Sequence, residues 1–232
     1  MFVPLRDDNP LRAIPYQYVT VGLILVNILI YAVEVAAVDP AVIASFAVVP
    51  SELFEAGVLG PGSRGDVVAV PERLTLVSYM FLHGDIFHLL GNMLFLWVFG
   101  DNVEDAMGHF RFIVFYVACG IFAGLTHAWM MPQSQLPLIG ASGAVAGVIA
   151  AYIMLHPRVR VWVLAFRFIP LRISAALALG AWILTQLVMV ALPQVGPVAW
   201  WAHIGGLAAG AVLILILRRP GVPLFDKPLT PF

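Results

Sequence analysis

Six long apolar segments, each 17 to 22 residues in length, constrain the fold of this chain more than any other feature. The hydrocarbon core of a bilayer is about 30 Å thick, and a helix needs about 20 mostly apolar residues to cross it. The segments lack the two-residue alternation of half-buried strands, so they predict membrane-spanning helices. Their approximate limits are Gln17–Val38, Phe87–Val103, Phe110–Met131, Leu136–Leu155, Ile173–Leu192 and Val198–Leu217.

The composition excludes most other classes of protein. Hydrophobic residues make up 62% of the chain, charged residues only 11%, and the mean hydropathy is +0.97. A soluble domain is about 45–50% apolar and about 25% charged, and a soluble core of this length could not enclose so much apolar surface. The net charge of −1 gives no reason to expect a nucleic acid partner. The only cysteine, Cys119, excludes an intramolecular disulfide and a cysteine-based zinc site.

The basic residues predict the orientation of the helices. If the N-terminus is cytoplasmic, ten of the twelve lysines and arginines lie on the cytoplasmic side, and only Arg64 and Arg73 lie outside. Cytoplasmic loops of membrane proteins carry such an excess. We therefore predict an all-α polytopic membrane protein, a six-helix bundle with both termini inside. Its parts are an N-terminal segment (1–16), a six-helix membrane domain (17–217) and a cytoplasmic tail (218–232).

Polar residues occur where the second, fourth and sixth predicted helices begin. In the predicted orientation, all three helices begin at the outer membrane face. Polar groups within a membrane are costly and mark functional sites by default. A serine, histidines and an asparagine are therefore expected at a similar depth. These residues are His83, His88 and Asn92 around the start of the second helix, Ser142 at that of the fourth and His203 at that of the sixth.

Each of these motifs has an ordinary packing explanation when it is taken alone. Small residues four apart, such as Gly143 with Gly147 or Gly206 with Gly210, allow helices to approach closely. A single intramembrane histidine is more often a hydrogen-bonded core residue than a catalytic base. The occurrence of all three motifs at one membrane face is a much rarer coincidence than any one of them.

Together the residues suit acyl transfer by a serine nucleophile. A serine hydroxyl needs a base within hydrogen-bond reach, and histidine is the usual one. The tetrahedral intermediate needs donors directed at its oxygen. The Ser142 amide at a helix start, the Asn92 amide and the His88 ring could supply them. No carboxylate stands beside His203 in the sequence, so we predict a Ser–His dyad rather than a triad.

These residues, in this order, resemble the rhomboid family of intramembrane serine proteases. The resemblance implies that Ser142 is the nucleophile and His203 the general base, with an oxyanion hole formed by His88, Asn92 and the Ser142 amide. It implies transmembrane protein substrates that are cut near the outer face, after a small residue at a helix-destabilised site. It also implies that the reaction uses no metal or cofactor. The remaining motif residues that carry the resemblance are His83, Glu104, Gly140, Gly143, Gly206 and Gly210.

The chain departs from the family at one site position, where Ala146 replaces an aromatic residue that often packs on the catalytic histidine. What holds His203 is therefore left open. The N-terminal segment resembles that of bacterial members, which predicts a multi-pass protein of the bacterial plasma membrane. Two alternative functions remain: a catalytically inactive rhomboid-like protein that binds membrane clients, and a small transporter. Membrane-embedded acids are few, and no inverted pair of broken helices is apparent, which weighs against the transporter.

Overall fold

A computed structural model describes residues 2–55, 67–165, 168–192 and 198–225, and these are mostly helical. The helices are α1 (Tyr18–Ala37), α2 (Pro40–Ala44), α3 (Pro50–Glu55), α4 (Glu72–Ser78), α5 (Ile86–Met107), α6 (His109–Met130), α7 (Ser142–Leu155), α8 (Ala175–Ala191) and α9 (Trp200–Leu217). A short 3-10 helix, Tyr79–Phe81, follows α4. The strands are β1 (Val3–Asp7), β2 (Arg160–Ala165) and β3 (Ile169–Ser174).

Among the residues that the structure describes, four helices are long and apolar enough to cross a membrane, as expected for an integral membrane protein. They are Tyr18–Ala36, Ile86–Met107, His109–Met130 and Trp200–Leu217. The two other long helices, α7 with 14 residues and α8 with 17, are apolar but shorter. Helix α7 lies in the middle of the bundle, where most of its residues are buried.

Helix α7 begins six residues later than the sequence predicts. The predicted fourth span starts at Leu136, but residues 136–141 are not helical, and Leu138 instead pairs with Val48 in an isolated antiparallel bridge. Pro137 cannot donate a backbone hydrogen bond, and Gly140 has a φ of +116°, which side chains strongly disfavour. Both residues keep this segment out of the helix, so that Ser142 becomes the first residue of α7.

A three-stranded antiparallel sheet, in the order β1-β2-β3, corrects the prediction of an all-α chain. It lies near the end of α7 that is remote from Ser142, because the Tyr152 hydroxyl donates to the Asp7 carboxylate of β1. Val161 and Val163 on β2 are buried, whereas Arg160 is exposed. The apolar segment 161–168 is too short to span a membrane. Its alternating β-branched residues suit a half-buried strand, and strand pairing satisfies its backbone groups.

The N-terminus of α1 is capped by a carboxylate from α5. Glu104 is fully buried and accepts hydrogen bonds from the Val19 amide at 3.0 Å, the Thr20 amide at 2.8 Å and the Thr20 hydroxyl at 2.7 Å. Its other contact is with His109 Nδ1, at 2.5 Å. Gln17, at the N-cap position of α1, makes no side-chain capping bond. Glu104 therefore satisfies amides that would otherwise lack partners at a helix start.

The packing of α7 against α9 brings the two backbones into contact. A Cβ atom built on Gly206 would overlap the carbonyl oxygen of Gly143, and one built on Gly210 would overlap that of Gly147. Any side chain at these two α9 positions would therefore force the helices apart. The connection between the fifth and sixth predicted spans (residues 193–197) and the part of the predicted tail beyond residue 225 lie outside the described residues.

Candidate active site

Ser142 and His203, 61 residues apart in sequence, lie within hydrogen-bond distance of each other. The distance from Ser142 Oγ to His203 Nε2 is 2.9 Å. Ser142 is the first residue of α7, and His203 lies in the first turn of α9. The turn before Ser142 is held by the Gly140 amide, which donates to the Tyr79 carbonyl at 2.8 Å. His203 is buried and Ser142 is partly exposed, so the pair lies just below a surface from which a substrate could reach the hydroxyl.

His88 and Asn92, on α5, lie beside the backbone turn that leads into Ser142. A Cβ atom built on Gly140 would be 2.7 Å from His88 Nε2 and 3.8 Å from Asn92 Nδ2. Glycine at this position leaves room for both side chains. Asp85 caps α5 by accepting from the His88 amide at 2.9 Å, which fixes His88 in the first turn of the helix. The structure thus brings all four predicted chemical groups to the same end of the bundle.

His83 contacts Asn92 rather than Ser142 or His203. The distance from Asn92 Nδ2 to His83 Nε2 is 3.1 Å. The amide nitrogen can only donate, so His83 accepts the bond through Nε2 and carries its proton on Nδ1. Burial lowers the pKa of His83 to about 4, which keeps the ring neutral and able to accept at neutral pH. The His83 backbone amide donates to Glu34 on α1 at 3.3 Å.

Gln186, on α8, is a residue of this site that the sequence analysis did not identify. Its Oε1 lies 2.7 Å from His203 Nδ1, and its Nε2 donates to the Trp182 carbonyl at 3.0 Å. The Trp182 and Trp200 rings flank His203, with centroid distances of 5.8 Å and 6.0 Å. These three side chains surround the imidazole in a chain that has Ala146 where the family often has an aromatic residue. The only available signal was a glutamine within an apolar helix.

The remaining motif residues supply packing or capping rather than reactive side chains. Glu104 is 16 residues beyond His88 on α5, about 24 Å along the axis, and it caps α1. Gly206 and Gly210 lie along the interface between α7 and α9, and Gly143 lies against Ala123 on α6.

The arrangement contains the parts that acyl transfer requires. A hydroxyl faces a ring nitrogen that can accept its proton, and an amide and an imidazole lie beside the adjacent backbone. The first-turn amides of α7, including that of Ser142, have no acceptor within their own helix. These groups could stabilise negative charge that develops next to Ser142.

Comparison with known proteins identifies the family. The family model of the rhomboid domain matches residues 71–220, a range that contains all the predicted site residues. RHOMBOID-like protein 5 of Arabidopsis thaliana is 32% identical over 150 residues, which cover 64% of this chain and 46% of that protein. Rhomboid protein 1, mitochondrial, of Saccharomyces cerevisiae is 28% identical over 153 residues, which cover 62% of this chain and 41% of that protein.

RHOMBOID-like protein 6, mitochondrial, of Arabidopsis thaliana is 32% identical over 164 residues, which cover 66% of this chain and 47% of that protein. The chain thus spans less than half the length of each of these three relatives. Two of their names place those proteins in mitochondria, so they do not support the predicted bacterial plasma membrane. The resemblance based on the motifs is confirmed, since the family model covers well over half of the sequence: the chain belongs to the rhomboid family.

Proposed function

We propose that this protein is an intramembrane serine endopeptidase that cleaves transmembrane segments of membrane proteins near the extracytoplasmic face. The distance of 2.9 Å between Ser142 Oγ and His203 Nε2 is the observation that carries this proposal. Family membership and the apolar helices support a reaction within the membrane. By the resemblance, the bond that is cleaved follows a small residue in a segment whose helix is easily unwound.

The reaction proceeds through an acyl-enzyme. The Ser142 hydroxyl attacks the scissile carbonyl carbon while His203 Nε2 takes its proton. The carbonyl oxygen becomes negatively charged and accepts hydrogen bonds from Asn92, His88 and the Ser142 amide. The C–N bond then breaks, and His203 returns the proton to the departing amine. A water molecule, deprotonated by His203, hydrolyses the ester in the same way and restores the Ser142 hydroxyl.

The proposal includes six membrane helices, with both termini in the cytoplasm. We assign α1 and α5 to α9 to the domain 17–217, with segment 1–16 and tail 218–232 inside. The split of ten basic residues to two supports this orientation. With 14 residues, α7 is about 21 Å long, so it can begin below the outer surface of a bilayer. A submerged Ser142 would meet an unwound substrate segment and still be reached by water from outside.

The two alternative functions make different predictions about Ser142. An inactive rhomboid-like protein would bind membrane clients without using this hydroxyl, although the proximity of Ser142 and His203 favours catalysis. A transporter of protons would depend on its histidines but not on Ser142. Replacing the serine alone therefore separates the protease from both alternatives.

The test uses the full chain, purified in detergent, with a model transmembrane substrate and a fluorophosphonate probe. We expect Ser142→Ala to abolish both cleavage and labelling, and His203→Ala to suppress labelling, because the hydroxyl is weakly nucleophilic without a base. The matched control is Ser134→Ala, in the loop before α7, which should retain both. Undiminished cleavage by Ser142→Ala would refute the proposal. A zinc chelator is expected to have no effect.

A further inference from the structure

We infer that Gln186 is a positioning residue that holds His203 in the tautomer and ring orientation needed to accept the Ser142 proton. The inference rests on the proposed function for its effect on rate, but the contact itself can be tested without catalysis. It concerns a residue on α8, outside the three motifs that indicated the site. Gln186 also accounts for how the imidazole of His203 is held in a chain that has alanine at position 146.

The hydrogen bonds around Gln186 determine which ring nitrogen of His203 carries the proton. The Gln186 amide nitrogen, a donor only, faces the Trp182 carbonyl at 3.0 Å. The amide oxygen must therefore face His203, and it lies 2.7 Å from Nδ1. An amide oxygen can only accept, so Nδ1 carries the proton. In a neutral ring, Nε2 is then unprotonated, and Nε2 is the atom that lies 2.9 Å from Ser142 Oγ.

The surroundings of Gln186 restrict its movement. Its exposed fraction is 3%, and its amide is bonded at both ends, so rotation of the side chain would leave buried polar atoms without partners. The Trp182 ring, one turn earlier on the same helix, also packs beside His203. Helix α8 therefore flanks the imidazole with one hydrogen bond and one aromatic ring.

Gln186 differs from the carboxylate of a catalytic triad because it carries no charge. It can fix the ring and its tautomer, but it cannot stabilise an imidazolium as strongly as a carboxylate would. The expected contribution of Gln186 is therefore geometric.

A purely structural role for Gln186 is the alternative that the experiment must separate. The buried residues of α8 are Ala175, Ala178, Leu179 and Gln186, so Gln186 is the buried side chain in the C-terminal half of the helix. Its replacement could loosen α8 without any specific effect on His203. The measurements must therefore report on His203 itself as well as on stability.

The experiment compares three variants of the full chain in detergent. Gln186→Met keeps the length of the side chain and removes both polar atoms, whereas Gln186→Glu keeps an acceptor oxygen for Nδ1–H. The matched control is Thr185→Val, because the Thr185 hydroxyl bonds to Ala181 within α8. Each variant is measured for its melting temperature, for kcat and KM with a model transmembrane substrate, and for its ¹⁵N-histidine NMR spectrum, with His203→Ala used for assignment.

We expect Gln186→Met to lower kcat by about 10- to 100-fold with little change in KM. The buried Nδ1–H of His203 loses its acceptor in this variant, and every step of the reaction uses His203. The ¹⁵N signals of His203 should shift from a single Nδ1-protonated tautomer toward a mixture. Gln186→Glu should retain the Nδ1-protonated tautomer and most of the kcat, and Thr185→Val should resemble the wild type.

The inference is overturned if Gln186→Met retains the wild-type tautomer and kcat, or if Gln186→Glu is as impaired as Gln186→Met at an unchanged melting temperature. If the proposed function is wrong, the result is different, because the wild type itself then does not cleave the substrate. In that case the NMR comparison still decides whether Gln186 sets the tautomer of His203. If Gln186→Met does not fold, the tautomer and kcat of Gln186→Glu decide it.

Discussion

The carbonyl oxygen of Gly143 occupies the space that a side chain on Gly206 would require. Gly143 directly follows Ser142, and Gly206 lies one helical turn after His203, so this backbone contact lies next to the proposed catalytic pair. The separation of α7 and α9 at this point determines the distance from Ser142 Oγ to His203 Nε2, which is 2.9 Å. We therefore expect the small residues at this contact to affect the proposed reaction as well as the packing of α7 against α9.

Gly206→Ala is expected to reduce cleavage at least 100-fold and to lower the melting temperature. Overpacking a close interface typically costs about 1–3 kcal/mol, and a shift of about 1 Å between nucleophile and base can cost about 100-fold in rate. The matched control is Gly180→Ala on α8, where an added Cβ atom meets nothing within 4 Å. That variant should keep full activity. Wild-type cleavage by Gly206→Ala would show that the contact does not set the geometry of the site.

Asn92→Ala is expected to lower kcat by up to about 100-fold while changing KM little. An oxyanion donor acts mainly in the transition state, and its removal from a soluble serine protease costs about 10²–10³ in kcat. We expect a smaller loss here, because the His88 ring and the Ser142 amide can still donate. The control is Asn27→Ala, since the Asn27 amide bonds to Leu23 within α1. An effect on KM alone would instead assign Asn92 to substrate binding.

The reactive groups could be predicted from the sequence because each belongs to a local motif at a helix start. The pattern of apolar segments locates those starts, and the alternation of helix direction predicts that His88, Ser142 and His203 lie at one end of the bundle. Pro137 and Gly140 also indicate that the helix cannot begin before Ser142. The apolar pattern, taken alone, predicted a longer helix that begins at Leu136.

Gln186 and the sheet could not be predicted in the same way, because their partners are distant in sequence. Gln186 belongs to no motif, and its role depends on a hydrogen bond to a ring on another helix. Strand β1 pairs with β2 across more than 150 residues, for example Val3 with Leu164. Helical periodicity and residue spacing carry no information about such contacts.

Asp7→Asn is expected to remove a pH dependence of stability at the sheet end of the protein. Burial raises the pKa of Asp7 from 3.8 to about 6, although the hydrogen bond from Tyr152 opposes this. The folded protein therefore binds a proton more tightly than the unfolded chain does. The associated stabilisation is complete below pH 4 and is lost as the pH rises through 6. At about 1.4 kcal/mol per pKa unit, the loss is on the order of 2–3 kcal/mol.

The measurement is the melting temperature in detergent between pH 4 and pH 7, for the wild type and for Asp7→Asn. Asparagine can still accept from Tyr152 but does not ionise, so its curve should fall less steeply with rising pH. Asp39→Asn is the control, because Asp39 is an exposed helix cap whose replacement retains the acceptor. Identical slopes for the wild type and Asp7→Asn would assign the pH dependence to other groups.

Single cysteines at Gln133 and Arg160 should lie on opposite sides of the membrane. Both side chains are exposed, Gln133 in the loop before α7 and Arg160 at the start of β2, so α7 lies between the two positions. The test starts from Cys119→Ala, which removes the buried native thiol. In intact cells, a membrane-impermeant thiol reagent should label the Gln133→Cys variant, whereas Arg160→Cys should react only after permeabilisation.

The opposite pattern would move the proposed site to the cytoplasmic face, because Ser142 lies at the same end of α7 as Gln133. Labelling of both variants in intact cells would show that α7 does not cross the membrane.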